Sequence, residues 1–168
     1  MLFRSNLKQI DRSVTLRDEL IVVKQYMQIQ QARFTDRLQL KLDIDDSCLD
    51  VAIPALTLQP IIENAVIHAI EPNINGGLIT IQVKDLNEYV LVQIEDDGIG
   101  MSEEIITQIL TERQVQTAGH STGIGFSNVV KRLRLFYERD DVIHIESSLG
   151  CGTAVLLKIP KQRGEIHD

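Results

Sequence analysis

The stretch ENAVIHAI, residues 63–70, sets a carboxylate, a carboxamide and an imidazole inside a run that is otherwise apolar. Asn64 offers an amide oxygen of the kind a hard cation takes. Mg²⁺ commonly uses only one or two protein ligands and completes its shell with water and nucleotide phosphates. Glu63 could orient a water or accept a proton, and His68, one helical turn beyond Asn64, shares its face and could reach phosphate or ribose. A second group lies in EDDGIG, residues 95–100. There Asp96 ends an apolar strand, where it could accept a hydrogen bond from an exocyclic amine such as that of adenine, and Gly98 and Gly100 would let a flat base approach the backbone. A third group, Gly123 and Gly125 in TGIGFSN, opens a helix whose free amides make a ready anion site.

Each of these has a plainer reading. A lone buried Asn or His more often fills a satisfied structural role, and a single G-x-G is as often just a turn. A turn formed by Asp96 and Asp97 would explain one aspartate but not both glycines. It is the combination that points to a ligand. The other histidines have no metal-ligand or triad spacing: His120 falls in a polar loop where it could touch phosphate, His144 on a strand, His167 in a polar tail.

These residues need elements to hold them. LRDELIVVKQYMQIQQARF, residues 16–34, places Leu16, Leu20, Val23 and Met27 at steps of three and four behind Thr15 as N-cap, so it reads as an amphipathic helix. RLQLKLDID, residues 37–45, alternates as a half-buried strand. Residues 53–70 read as one helix buried on both sides, with Pro60 bending it or tolerated near its start and Pro72 ending it. LITIQVK and YVLVQIED form an antiparallel hairpin across a short turn. A helix starts at Ser102, residues 111–122 read as a polar mobile loop, another helix follows Gly125, and VIHIESS and TAVLLKIP close the pattern as two strands. Short hairpins with helices between them indicate an α+β, two-layer sandwich with a mixed, mostly antiparallel sheet and helices on one face. The alternation of a parallel Rossmann sheet is absent.

The totals limit the rest. The 168 residues suffice for one domain, and 17 basic against 24 acidic residues, a net charge of −7, argue against binding a nucleic-acid backbone. Cys48 and Cys151 have neither disulfide-framework nor zinc spacing and read as free thiols in a reducing compartment. No apolar stretch approaches the roughly 20 residues of a membrane span.

LQPIIENAVIHAI, EDDGIGM, TGIGFSNVVKRL and GCGTAVLLKIP, in this order, resemble the N box, the two glycine boxes and the closing G-x-G-T element of the GHKL ATP-binding fold. SVTLRDELIVVKQYMQIQQARF and IPALTLQPIIENA resemble the sensor histidine kinases of the LytS/YesM type. The resemblance implies an ATP-dependent protein histidine kinase domain in which Asn64 coordinates Mg²⁺, Asp96 binds the adenine amine, and Gly98 and Gly100 line the base pocket. It further implies that Gly123 and Gly125 belong to a lid over the phosphates, that Thr153 lies near the adenine, and that Glu63 matches the carboxylate that activates water in ATP-hydrolysing relatives. Ile67 and Ala69 depart from the pattern, standing where a basic or polar residue and a glycine are common. The phosphoacceptor motif of the family, similar to NPHFLFN, does not occur here. Residues 1–13 accordingly read as the tail of an upstream dimerisation helix and residues 14–168 as the ATP-binding domain. The implied partners are the dimerisation and phosphoacceptor domain of the same protein and a response regulator. The piece itself is expected to be monomeric and unable to phosphorylate itself, within a homodimeric, membrane-bound parent whose kinase portion is cytoplasmic. The alternatives are a degenerate nucleotide-sensing module that binds a partner, and a serine kinase of the anti-sigma-factor type.

Overall fold

The chain turns from strand to helix at Thr15, where a capping box makes the change sharp. The Thr15 hydroxyl accepts the Asp18 N–H and the Asp18 carboxylate accepts the Thr15 N–H, each at 3.1 Å. β1 (Ser13–Thr15) therefore ends where α1 (Leu16–Phe34) begins. The α1 stripe of Leu16, Leu20, Val23 and Met27 is buried, as its spacing requires. Thr15→Ala is expected to cost about 1 kcal/mol and to lower the melting temperature by roughly 2–4 °C, read by thermal denaturation.

The protein is seen in a computed structural model that describes residues 12–111 and 124–161. After α1 come β2 (Leu38–Ile44), β3 (Ala52–Pro54), α2 (Leu58–Ala65) running into a π turn (Val66–Ile70), and the hairpin β4 (Gly77–Asp85) and β5 (Tyr89–Asp96). Then follow α3 (Glu103–Thr111), α4 (Ile124–Tyr137), β6 (Ile143–Ser147) and β7 (Thr153–Pro160). The main sheet has five strands in the order β2-β4-β5-β7-β6, and β1 pairs with β3 in a separate ribbon. Only the β2–β4 pair of the main sheet is parallel. One row of each inner strand, such as Ile79, Ile81 and Val83 of β4 and Val90, Val92 and Ile94 of β5, is buried against the helices. The result is the two-layer α+β sandwich expected from the sequence. No helix among the described residues is long and apolar enough to cross a membrane.

The expected single helix over residues 53–70 is corrected. Its first residues form β3, the chain breaks at Leu56 with φ 61°, and α2 starts at Leu58. A continuous apolar run has no period to separate strand from helix, and the pairing of Ile53 with Val14 supplies the ladder that no local signal announces. Pro60 sits in the first turn of α2, where its missing N–H has no partner to lose. The polar loop expected over residues 111–122 lies outside the described residues, except Thr111, which ends α3.

The end of the helix is equally physical. In an α-ladder the His68 carbonyl would accept from residue 72, but that is Pro72, which has no N–H. The backbone widens instead, and Glu71 N–H donates to Val66 O at 3.3 Å, five residues back. Arg37 then caps the frayed end by donating to the Ile70 and Asn73 carbonyls at 2.8 and 2.7 Å, a cation at the negative pole of the helix.

Candidate functional site

The π turn leaves the His68 carbonyl free, and the loop after β5 takes it. Ile99 N–H donates to it at 3.4 Å. Gly98 packs so closely on the same turn that a Cβ there would lie 2.6 Å from Ala69 Cα and 2.7 Å from His68 O. No side chain fits at this position, so the glycine is required by close approach rather than by its dihedral angles. Gly98 N–H also donates to Asp96 Oδ1 at 2.9 Å, which fixes the aspartate's rotamer beside bare backbone.

Asp96 itself stands at the inward-facing end of β5, opposite Thr153 of β7. Burial is the main reason its pKa rises to about 6, with the neighbouring Asp97 charge pushing the same way and the Gly98 amide opposing. A half-buried carboxylate that is ionised at pH 7 against the cost of burial is stabilised by a hydrogen-bond donor. Asp97 has the turn-forming part. Its carboxylate accepts the Leu78 N–H at 2.8 Å and its own N–H reaches Leu78 O at 3.4 Å. The two adjacent aspartates thus divide into one that builds the loop and one that faces the site.

Gly100, at φ 71°, runs against the Ser148 carbonyl, and Gly150 N–H returns a bond to Ile99 O at 2.7 Å. Ser147 ties the two turns together. Its hydroxyl accepts the Met101 N–H at 2.8 Å, donates to Gly152 O at 2.7 Å and lies 2.9 Å from Thr153 Oγ1, whose proton it receives. Thr153 is thereby buried and oriented next to Asp96. Ser147 escaped the sequence reading, although its place after Ile143 and Ile145 puts it on the inward row of β6.

On the helical side, Asn64 is half-buried on α2 and its carboxamide has no hydrogen-bond partner among the described residues. An unpartnered amide oxygen in a half-buried position is the donor a hydrated Mg²⁺ uses, so this residue fits the ion. His68 is also half-buried. Burial lowers its pKa, with Glu71 opposing, so it stays neutral at pH 7. Glu63 accepts Gln59 Nε2 at 3.0 Å, and its charge, after burial, helps push the pKa of Tyr26 on α1 up to about 12. Glu63 therefore lies toward α1, on a different side of the helix from the turn that meets Gly98. Gly125 lies in the first turn of α4 with open space where a Cβ would be. Gly123, His120 and His167 lie outside the described residues.

The structure thus brings His68, Asp96, Gly98, Gly100 and Thr153 to one end of the sheet, with Asn64 one turn away. A shallow hollow of about 460 Å³ at this end of the sheet is lined by Asp96, Ser147, Gly152 and Thr153 together with Glu95, Glu146, Ser148, Cys151 and Ala154. It shares Asp96 and Thr153 with the candidate site, and its three carboxylates, Glu95, Asp96 and Glu146, would repel a phosphate, so the hollow suits the base end of a nucleotide and not its phosphates. Both cysteines are free, Cys48 buried and Cys151 exposed. Sequence reasoning also missed two charges beside α2, one buried and one half-buried. Glu19 of α1 and Arg132 of α4 both bond to the segment leading into it. The position of Glu19 inside the Leu16, Leu20, Val23 stripe was the available signal.

Comparison with known proteins gives the family and the fold. Residues 54–163 match the family described as histidine kinase-, DNA gyrase B- and HSP90-like ATPase, and residues 1–38 match a family described as histidine kinase. The sensor histidine kinase YesM of Bacillus subtilis (strain 168) is 36% identical over 95% of this chain, which covers 26% of that protein. The sensor histidine kinase YpdA of Escherichia coli (strain K12) is 35% identical over 91% of this chain and 26% of its own length. The chain spans about a quarter of the length of these curated relatives. Among solved structures, the catalytic domain of histidine kinase ThkA superposes with a TM-score of 0.64 at 19% identity, covering 89% of this chain and 95% of that one. That likeness shows the fold. On the family match and the identity to the sensor kinases together, the chain belongs to the histidine kinase-, DNA gyrase B- and HSP90-like ATPase family.

Proposed function

We propose that this chain is the ATP-binding catalytic domain of a sensor histidine kinase. The observation that carries the reading is Asp96: a half-buried carboxylate, its pKa raised to about 6 by burial and its rotamer fixed by the Gly98 amide, standing beside Thr153 at the end of the sheet. Such a group reads an exocyclic amine, and Gly98 and Gly100, packed against the π turn and the Ser148 carbonyl, hold the loop that follows it close to the helix. Thr153, oriented by Ser147, closes the same side.

Asn64 would hold Mg²⁺, which would supply charge neutralisation for the phosphates when bound. The neutral His68 would donate one ring N–H to phosphate or ribose, and the first turn of α4 around Gly125, with Gly123 before it, would face the phosphates. Glu63 is the candidate for a proton or water contact, and its bond to Gln59 holds it in place. In the transfer step a ring nitrogen of an acceptor histidine, on a separate dimerisation domain, attacks the γ-phosphorus. The bond to the β-phosphate oxygen breaks, ADP departs, and the proton on the other ring nitrogen passes to water. Catalysis by this chain is positioning and electrostatics. A response regulator would take the phosphoryl group next. Residues 14–168 are proposed as the domain and 1–13 as the tail of the upstream dimerisation or linker helix; β1, whose pairing with β3 starts at Ser13, lies within a residue of that boundary.

Calorimetric titration with a non-hydrolysable ATP analogue, with and without Mg²⁺, tests the reading. Micromolar to sub-millimolar binding that needs Mg²⁺ is expected, on the order of K_M values for nucleotide enzymes. Asn64→Ala should remove the Mg²⁺ dependence, and an unchanged dependence would cancel the metal assignment. No binding at millimolar nucleotide would favour the degenerate, partner-binding module.

A further inference from the structure

A buried carboxylate and a half-buried guanidinium from different helices converge on residues 55–58, at the start of α2. From α1, the Glu19 carboxylate accepts three backbone amides: Leu56 N–H at 2.7 Å, Thr57 N–H at 3.0 Å and Leu58 N–H at 2.8 Å. Glu19 is 6% exposed. From α4, the Arg132 guanidinium donates to Ala55 O at 3.1 Å and also to Leu56 O. The Thr57 hydroxyl, fully buried, donates to Pro54 O at 2.6 Å. Leu56 stands at φ 61°, a conformation that leucine rarely adopts. It is held there by Glu19 on its N–H and Arg132 on its carbonyl.

The arrangement does more than cap a helix. A carboxylate at the first amides of α2 satisfies groups no backbone partner can reach, and it suits the positive pole of the helix. A single hydroxyl or a water would serve that purpose. Here the capping group is anchored on α1, within the segment that matches the histidine kinase family, and the opposite face of the same loop is tied to α4. Asn64 lies on the helix that this junction starts. Gly125 lies on α4, two turns before Arg132. The junction is thus a direct polar link between the start of the helix carrying the proposed metal ligand and the helix facing the proposed phosphate site. α1 is the third member.

We propose that Glu19 and Arg132 are positioning residues for the triphosphate and its metal: by fixing the loop of residues 55–58 between α1 and α4, they set the distance from Asn64 to the first turn of α4. The inference rests on the nucleotide-binding reading above. It predicts an effect on one half of the ligand. The adenine end is held by Asp96, Gly98 and Thr153 on the sheet, which the junction does not touch, whereas the phosphate end depends on two helices that the junction holds together.

The test compares two ligands on the 168-residue chain: the Mg²⁺ complex of a non-hydrolysable ATP analogue, and adenosine. Arg132→Met keeps the aliphatic stem and removes the donors. It is expected to weaken the metal–triphosphate complex by roughly tenfold, the scale of coupling between neighbouring groups, and to change adenosine binding by less than about twofold. Arg132→Lys, which keeps the charge and one donor to the carbonyls, should recover part of the loss. Glu19→Gln keeps the shape and one acceptor oxygen and should follow the same split. Equal losses for both ligands, or no loss for either in folded variants, would overturn the inference and leave the nucleotide reading standing. If Arg132→Met does not fold, the Lys and Gln variants decide on the same ratio. Failure of the unaltered chain to bind either ligand would overturn both readings, and that result is recognisable because it appears before any substitution is made.

Discussion

Asp96→Asn is expected to weaken adenine nucleotides by roughly 10- to 100-fold, the worth of one charge-assisted hydrogen bond, while leaving the unliganded chain more heat-stable. The two effects have one cause. Burial raises the Asp96 pKa from 3.8 to about 6, so between these values the folded chain binds a proton that the unfolded chain has already lost. Stability therefore falls as pH rises across that window and is flat above it. At pH 7 the ionised carboxylate costs the fold up to about 3 kcal/mol, which asparagine relieves. Nucleotide affinity runs the other way: the ionised form is the acceptor, so binding should weaken as pH drops from 7 to 5, with proton release on binding near pH 6. Titrations in buffers of different ionisation enthalpy measure that proton. Guanine nucleotides should be indifferent to the substitution. Equal losses for adenine and guanine nucleotides would remove the base-reading role, and a lower melting temperature for the apo variant would contradict the electrostatic account.

Gly152→Ala should be among the most damaging single substitutions in the chain. Its φ is 77°, and a Cβ there would fall on the Asp96 carbonyl oxygen and within 3.0 Å of Asp97 Cα. The obstacle is backbone, fixed by the β5–β7 ladder, so the strain cannot be released by a rotamer. The left-handed conformation costs a non-glycine residue roughly 1–2 kcal/mol and forced overpacking about 1–3 kcal/mol more. A loss of about 2–5 kcal/mol corresponds to a melting temperature lower by roughly 4–20 °C, together with loss of nucleotide binding, because the displaced segment carries Asp96. Gly150→Ala is the control. Its φ is 83° but the space around it is open, so only the conformational cost remains. Similar losses at both positions would place the effect in the dihedral angles and not in the contact with Asp96.

Much of this was legible because the relevant signals are local. The α1 stripe, its Thr15 cap, the β4–β5 hairpin and the glycines that surround Asp96 are written in stretches of fewer than twenty residues. What stayed hidden depends on distant partners. Residues 53–70 divide into strand and helix only because Val14 pairs with Ile53 and Glu19 reaches the amides of residues 56–58. The parallel register of β2 with β4 has no counterpart in either strand taken alone. The division of labour between Asp96 and Asp97 turns on which of them reaches Leu78. Pro72 is an intermediate case: its missing N–H was plain as a helix stop, yet the free His68 carbonyl it leaves behind becomes informative only when Gly98 and Ile99 are seen to occupy that turn.

The order of strands has a consequence for how the molecule is made. β4 and β5 are joined by three residues, with Asn87 at φ 66° in the turn, so this hairpin can form within microseconds of emerging from the ribosome. Its partner β7 starts 57 residues after β5 ends, since Asp96 pairs with Thr153. Until that strand arrives, β5 has an open edge of eight residues, Asp96 lacks its neighbour, and Ser147 has no Gly152 carbonyl to hold. A nascent chain therefore passes through a stage in which its middle is folded but its nucleotide end does not exist, with the apolar row of β5 beside an unpaired edge. Folding of this topology waits on its most distant contact, so nucleotide can stabilise the finished domain but cannot template the nascent one.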